Sequence, residues 1–307
     1  MIKQRLLTAL MLVAILIPII SIPELLGIFE IVMILFVVFA SRELLMMFEK
    51  KETLTPLFRW ITIVLTLVIY ISVAGFLGIN QTDELFNSSF IKAIIPVVVV
   101  LMLIYFVLSD SFKVVHVGSA LLVMTYIGFG AAAITVLRFL GIRFIFYMVF
   151  ISTVTDTFAY LIGMRFGKHP LAPTISPKKT WEGAIGGTII ATVISSGFAL
   201  FYGVLFTPGT IIGDLFNASG LQTLFDQVFP SNMSDGVWTL SVIILTFSAS
   251  IVSQFGDLFA SKLKRHYDIK DFSNIFPGHG GIMDRFDSMI MVSMYISSVL
   301  YIFTQLI

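Results

Sequence analysis

Residues 237–268 read VWTLSVIILTFSASIVSQFGDLFASKLKRHYD, and this stretch decides the fold. Its first two dozen residues form an apolar run long enough to cross a bilayer, whose hydrocarbon core of about 30 Å takes roughly 20 helical residues. Its end is different. Ser253, Asp257, Ser261 and Lys264 recur at steps of four, four and three, which sets them on one face of a helix. A membrane span therefore carries a polar stripe out of the bilayer at one end. A carboxylate at the centre of a span costs about 2.5–3.5 kcal/mol on insertion scales, so Asp257 calls for a cavity, a cation or a partner.

The rest of the chain repeats the apolar half of this pattern. Of 307 residues, 58% are hydrophobic and 12% charged, and the mean hydropathy is +1.01. Soluble domains are about a quarter charged, so the composition predicts an all-α integral membrane protein. Nine spans are expected, near 6–23, 26–47, 58–79, 91–109, 117–137, 143–164, 183–206, 237–260 and 287–306. The opening MIKQRLLTALMLVAILIPII has the basic start and apolar run of a signal peptide. No small-x-small cleavage site follows it, and it reads as the first membrane helix. Arg42 and Glu43 fall late in the second span, and Asp287 falls at the edge of the ninth. With the N-terminus in the cytoplasm, sixteen of the 19 basic residues lie on the inner side, and only Lys92, Arg138 and Arg143 lie outside. That bias matches the positive-inside rule. The expected division is a region of about five membrane helices, 1–140, and a catalytic membrane region, 141–307, with cytoplasmic loops 165–182 and 261–286. The protein is expected in the plasma or inner membrane, multi-pass, with its chemistry facing the cytoplasm.

Several classes of function drop out. A net charge of +1 gives no footprint for nucleic acid. With no cysteine there is no disulfide, thiolate catalysis or thiolate-ligated metal. His116, His169, His266 and His279 are scattered, without zinc-site spacing. No internal repeat is visible. The pairs Gly163/Gly167 and Gly183/Gly187 have the spacing of close helix packing. The connection 207–236 holds no basic residue and reads as a surface loop.

Two regions carry the chemistry. The first, FPGHGGIMDRFDS over 276–288, sets a proline and three glycines before a helix beginning near Ile282. The glycines let backbone approach a ligand closely. Asp284 and Asp287, three residues apart, project from one side of the helix's first turn, while Arg285 points elsewhere. Complementing the helix dipole explains one such carboxylate well. It explains Asp257 poorly. If the eighth and ninth helices form a hairpin, Asp257, Asp284 and Asp287 converge. Converging carboxylates without histidine or cysteine suit a hard cation, and Mg²⁺ commonly joins one or two carboxylates to substrate phosphates. One ion and two remain open. Lys262, Lys264, Arg265, Lys270 and Arg285 surround the acids and suit a polyphosphate.

The second region, 156–183, reads DTFAYLIGMRFGKHPLAPTISPKKTWEG. Asp156 lies inside the sixth span. Ser176, Lys178, Lys179 and Thr180 offer donors to an anion ahead of the seventh helix, and Glu182 caps that helix or balances a lysine. Taken alone, this is a basic loop beside anionic headgroups. Beside the first region, phosphate contact is the better reading, and His279, Gly280 and Gly281 are expected to join it.

The segment 261–287, SKLKRHYDIKDFSNIFPGHGGIMDRFD, resembles the signature of the phosphatidate cytidylyltransferases (CDP-diacylglycerol synthases). Ser261, Lys264, Arg265, Lys270, Asp271, Ser273, His279, Gly280, Gly281, Asp284, Arg285 and Asp287 all fall in place. DTFAYLIGMRFGK and ISPKKTWEG are similar to the same family. The resemblance covers roughly the second half of the chain. It implies a membrane enzyme that joins CTP and phosphatidate into CDP-diacylglycerol and pyrophosphate with a divalent cation, usually Mg²⁺. Such enzymes are often dimeric. Asp257 and Asp284 match the family's metal-binding acids; Asp287 is added from helix spacing and Asp156 from its place in a span. Lys264 and Arg265 join Asp257 and Asp284 as the catalytic set. Ser176, Lys178, Lys179, Lys270, His279, Gly280, Gly281 and Arg285 are the expected substrate contacts.

The chemistry is self-consistent. A phosphate monoester has a second pKa of about 6, so phosphatidate needs no base to become a nucleophile. The obstacle is repulsion between anions, which metal and Lys/Arg relieve. A CTP-dependent polyprenol kinase shares CTP and a lipid substrate, but its hydroxyl nucleophile would want a base. A cation-coupled transporter would use Asp156 and Asp257 as ion sites, but transporters usually show repeats and mid-membrane helix breaks.

Overall fold

The computed structural model describes residues 14–77, 89–108, 113–217, 219–229, 233–275 and 280–305. Residues 14–21 are helical, and a 3₁₀ turn at Pro23–Leu25 leads into α1 (Leu26–Phe48). There follow α2 (Pro56–Leu77), α3 (Ser89–Leu108) and α4 (Val114–Val123), which passes through a π-helical stretch, Met124–Phe129, into α5 (Gly130–Leu140). Then come α6 (Ile142–Phe166), strands β1 (Pro170–Ala172) and β2 (Ser176–Thr180), α7 (Trp181–Leu200), α8 (Tyr202–Leu205), α9 (Ile211–Asn217), α10 (Asp235–His266) and α11 (Met283–Gln305).

The described residues hold seven helices long and apolar enough to cross a membrane: Pro23–Phe48, Pro56–Gly75, Val114–Leu140, Ile142–Phe166, Trp181–Leu200, Asp235–His266 and Met283–Phe303. The protein is an all-α membrane protein. The fourth expected span is the 20-residue helix α3, with Pro96 inside it. Of the first expected span, residues 6–13 lie outside the described residues. At 32 residues α10 is about 48 Å long, well beyond a bilayer core of about 30 Å. Asp235 begins it and Lys264 and Arg265 stand in its last turn, each charge complementing the helix dipole.

The chain packs as two compact units, Met1–Leu140 with Lys264–Phe286, and Gly141–Leu263 with Asp287–Ile307. In the first unit α4, the π stretch and α5 form the most buried span, and the Tyr70 and Thr135 hydroxyls share a 3.2 Å hydrogen bond inside it. Residues 264–275 and 280–286 belong with α1 in this unit. Phe286 meets Phe36 edge-on at 5.0 Å, and Tyr267 meets Phe48 edge-on at 5.2 Å.

In the second unit α6 and α7 touch backbone to backbone. A Cβ on Gly187 would lie 2.8 Å from the Ala159 nitrogen, and one on Gly183 would lie 3.0 Å from Gly163 Cα. The small-residue spacing read from the sequence is this contact. Hydroxyl pairs join α6 to α10: Thr155 with Ser250 at 2.8 Å, and Ser152 with Ser253 at 3.1 Å. Ser152 also reaches Ser288 of α11 at 2.8 Å. Such interhelical bonds are worth about 0.6 kcal/mol each.

The connection 207–236 is not the plain surface loop expected. It contains α9, and Leu224 and Phe225 are wholly buried. Phe225 packs against Phe144 and Tyr147 of α6, so apolar side chains draw the connection onto the helices. Arg143 donates to the Asp226 carbonyl at 2.9 Å, and Asn217 bonds to the Phe206 and Leu221 carbonyls.

Candidate functional site

Within the second unit the loop after α6 folds into an antiparallel hairpin, Pro170 opposite Thr180 and Ala172 opposite Ser176. Thr180 ends β2 and caps α7, its hydroxyl accepting from the Gly183 N–H at 3.2 Å. Thr180 takes the N-cap that the sequence had offered to Glu182, and Glu182 sits in the first turn of α7 with its carboxylate turned to the loop after α6. The Trp181 N–H reaches the His169 carbonyl at 2.9 Å, which brings β1's entry to the start of α7. Glu182 therefore accepts from the Lys168 and His169 N–H groups, at 3.1 and 3.2 Å, and faces His169 Nδ1 at 2.6 Å.

This hairpin aims Lys179 at Asp257 of α10, and the two form an ion pair with side chains 27% and 30% exposed. Asp156 of α6 lies in the electrostatic field of both. Asp156 itself is exposed, as are Lys178 and Phe255. On α10, Gly256 abuts α11: a Cβ there would lie 2.9 Å from Ser288 Cα and 3.0 Å from the Asp287 carbonyl. Asp257 and Asp287 thus come from touching turns. An apolar cavity of about 530 Å³ runs between α7 and α10. Trp181, Ile185, Phe247 and Phe255 line it, with Gln254 bonded to Thr188 at 2.7 Å in its wall. Its lining residues Trp181 and Leu258 lie within two positions of Lys179 and Asp257.

Within the first unit the hub is Asp284, in the first turn of α11. Its Oδ1 accepts from Lys264 at 2.8 Å, and its Oδ2 accepts from the N–H groups of Phe272 at 2.8 Å and Gly281 at 3.0 Å. Lys264 also sits 5.1 Å from the Phe272 ring centroid. Three donors fill three of a carboxylate's roughly four lone-pair sites. Asp284 is therefore an organiser of the loop as well as a candidate ligand. Gly280 has φ +82°, a left-handed conformation suited to glycine.

Glu43 is the residue the sequence reading missed. It is buried on α1, only 1% exposed, and accepts from Ser273 and from the N–H groups of Ile282 and Met283. The signal was there: an ionisable residue late in an apolar span is a functional candidate by default. Of the other expected contacts, Ser176 begins β2 and is half-buried, while Lys270, Arg265 and Arg285 are exposed. His279 lies outside the described residues.

Among the described residues, no three His, Asp or Glu side chains group closely enough to hold a metal ion. Asp156, Asp257 and Asp287 of the second unit therefore do not form an all-protein cage. The donor chemistry still fits a hard cation. Mg²⁺ typically takes only one or two carboxylates and completes its octahedron with water and substrate phosphate. Each unit by itself sets a carboxylate beside a lysine, Asp257 with Lys179 in one and Asp284 with Lys264 in the other.

The chain belongs to the cytidylyltransferase family, which it matches over residues 3–303. The phosphatidate cytidylyltransferase of Bacillus subtilis (strain 168) is 35% identical over 210 residues, 67% of this chain and 66% of the relative. Those of Staphylococcus haemolyticus (strain JCSC1435) and Staphylococcus aureus (strain COL) are 35% and 37% identical over 193 residues, 62% of each chain. The matched stretch spans a little under two thirds of these relatives' length.

Proposed function

We propose that the protein transfers the cytidylyl group of CTP to phosphatidate, forming CDP-diacylglycerol and pyrophosphate, at the cytoplasmic face of the membrane. The observation that carries this reading is the ion pair of Lys179 and Asp257 beside an apolar cavity between membrane helices. A cation-seeking acid, an anion-seeking lysine and a greasy groove suit a lipid with a phosphate head. Family membership and the relatives' names support the same chemistry. The orientation, with the N-terminus in the cytoplasm, rests on the bias of lysine and arginine.

In this reading an oxygen of the phosphatidate phosphate forms a bond to the α-phosphorus of CTP. The bond from that phosphorus to the bridging oxygen breaks, and pyrophosphate leaves. The nucleophile is already ionised near neutral pH, so no side chain need take its proton. Asp257 and Asp284 are the principal cation ligands, with Asp287 and Asp156 as the further acids of the set. Mg²⁺, one ion or two, supplies charge neutralisation on the phosphates. Lys264 and Arg265 offset charge developing on the leaving group. Ser176, Lys178, Lys179, Lys270, His279, Gly280, Gly281 and Arg285 hold the phosphates of the two substrates. The working form is a homodimer.

The test gives purified protein in liposomes phosphatidate, Mg²⁺ and each nucleoside triphosphate separately, with CTP labelled at either the α- or the γ-phosphate. The α-label should enter the lipid, with CTP alone. Entry of the γ-label would make the protein a kinase. Substrate flux without CTP would make it a transporter.

A further inference from the structure

Helix α11 begins where the glycine turn ends, and its first N–H groups have no partner within the helix. In this protein the partner comes from α1. Oε1 of Glu43 accepts from Ile282 N–H at 2.9 Å, and Oε2 accepts from Met283 N–H at 2.8 Å. The Ser273 hydroxyl donates to Oε1 at 2.5 Å. One buried carboxylate therefore ties down the loop before the turn and the helix start after it.

The turn is fitted between two acids. A Cβ on Gly281 would lie 2.6 Å from Glu43 Oε1 and 2.7 Å from Oε2. A Cβ on Gly280 would lie 2.9 Å from Asp284 Oδ2. Gly281 touches both sides, its N–H bonded to Asp284 at 3.0 Å and its Cα face against Glu43. Met283, held by Glu43, is the residue before Asp284. Moving Glu43 thus moves the backbone from which Asp284 projects.

We propose that Glu43 is a positioning residue for the cation site. By capping α11 it fixes the direction of the Asp284 carboxylate and leaves it one orientation in which to meet Mg²⁺ and phosphate. This rests on the assignment of Asp284 as a cation ligand. Glu43 acts through Asp284: its own oxygens are turned to the Ser273 hydroxyl and the Ile282 and Met283 N–H groups.

The test uses full-length protein in nanodiscs and reads Mn²⁺ binding by electron paramagnetic resonance, without nucleotide. Mg²⁺ half-saturation of activity, KM for phosphatidate and the thermal midpoint are measured alongside. Groups that orient metal ligands typically cost about 10–100-fold in affinity when removed. Glu43→Gln, which keeps the shape but cannot accept from both N–H groups, should weaken Mn²⁺ binding and raise Mg²⁺ half-saturation about tenfold, with KM for phosphatidate unchanged. Gly281→Ala should act in the same direction, and the two changes should be non-additive because they meet at one contact. A folded Glu43→Gln protein with parental Mn²⁺ binding overturns the proposal. If Glu43→Gln does not fold, Ser273→Ala carries the test: weaker Mn²⁺ binding supports it and parental binding overturns it. Asp284→Asn separates the two ideas. If it too keeps parental Mn²⁺ binding, the cation assignment is what fails.

Discussion

Lys264 Nζ lies 2.8 Å from Asp284 Oδ1, with the two side chains only 13% and 4% exposed. Lys179 and Asp257 form the corresponding pair in the other unit, but more openly, at 27% and 30%. Burial separates what the two pairs contribute to the fold. A closed pair carries stability, whereas a half-open pair is free to exchange partners with an incoming anion.

Lys264→Met should therefore be costly to the fold. It leaves a buried carboxylate facing two N–H groups without its lysine partner. Removing one member of a buried pair typically destabilises by about 3–5 kcal/mol. The thermal midpoint in detergent should fall, and Lys264→Met with Asp284→Asn should recover part of the loss. A Lys264→Met midpoint equal to the parent's would contradict the closed-pair reading.

Lys179→Met should do the opposite. Its pair is close to a third exposed, so solvent screens it and the stability change should stay under about 1 kcal/mol. If Lys179 meets a substrate phosphate, product formation should fall about 10²–10³-fold, as when one preorganised donor is lost. Parallel melting curves and initial rates check both halves.

Two glycines of α7 make an internal comparison. A Cβ at Gly187 would press on the Ala159 backbone, while one at Gly197 would meet nothing within 4 Å. Gly187→Ala should destabilise by about 1–3 kcal/mol through overpacking. Gly197→Ala should be neutral or stabilising by up to about 1 kcal/mol, since alanine is the better helix former. Thermal unfolding of the two variants should move in different directions.

Glu52 is a reporter for the acid side of the pH profile. Lys113 donates to Glu52 at 2.8 Å and, with the nearby charge of His116, holds the Glu52 carboxyl below its ordinary value of 4.5 against a smaller opposing effect of burial. A depressed folded-state pKa means the bond's contribution is present above the unfolded value and is lost as pH falls through the lowered one. Carbon-13 titration of Glu52 should show the depressed midpoint, and Lys113→Met should return it upward.

The fold was legible because membrane helices announce themselves. Seven of the expected spans appear as apolar helices, and the Gly183/Gly187 spacing is the α6–α7 contact. The polar end of α10 was legible too, since Asp257 and Lys264 have no business in lipid and both bind an opposite charge. The partners were less visible. Pairing Lys179 with Asp257 needs the hairpin 170–180, whose two short strands leave no periodic signal. The burial of Leu224 and Phe225 within 207–236 was missed because turns and polar residues surround them. Glu43 was read only as falling late in the second span, because its three donors come from a loop and a helix start far along the chain.

The tie between Glu43 and α11 spans 240 residues. At about 5–20 residues per second, a ribosome makes the second partner about 12–48 seconds after the first. Throughout that interval the newborn acid lacks its α11 amides, so the inserting chain must keep it in contact with water until translation is nearly done. The turn bearing Asp284 is then among the last pieces to mature, and a C-terminal half expressed alone would emerge with most of its signature sequence but an uncapped final helix.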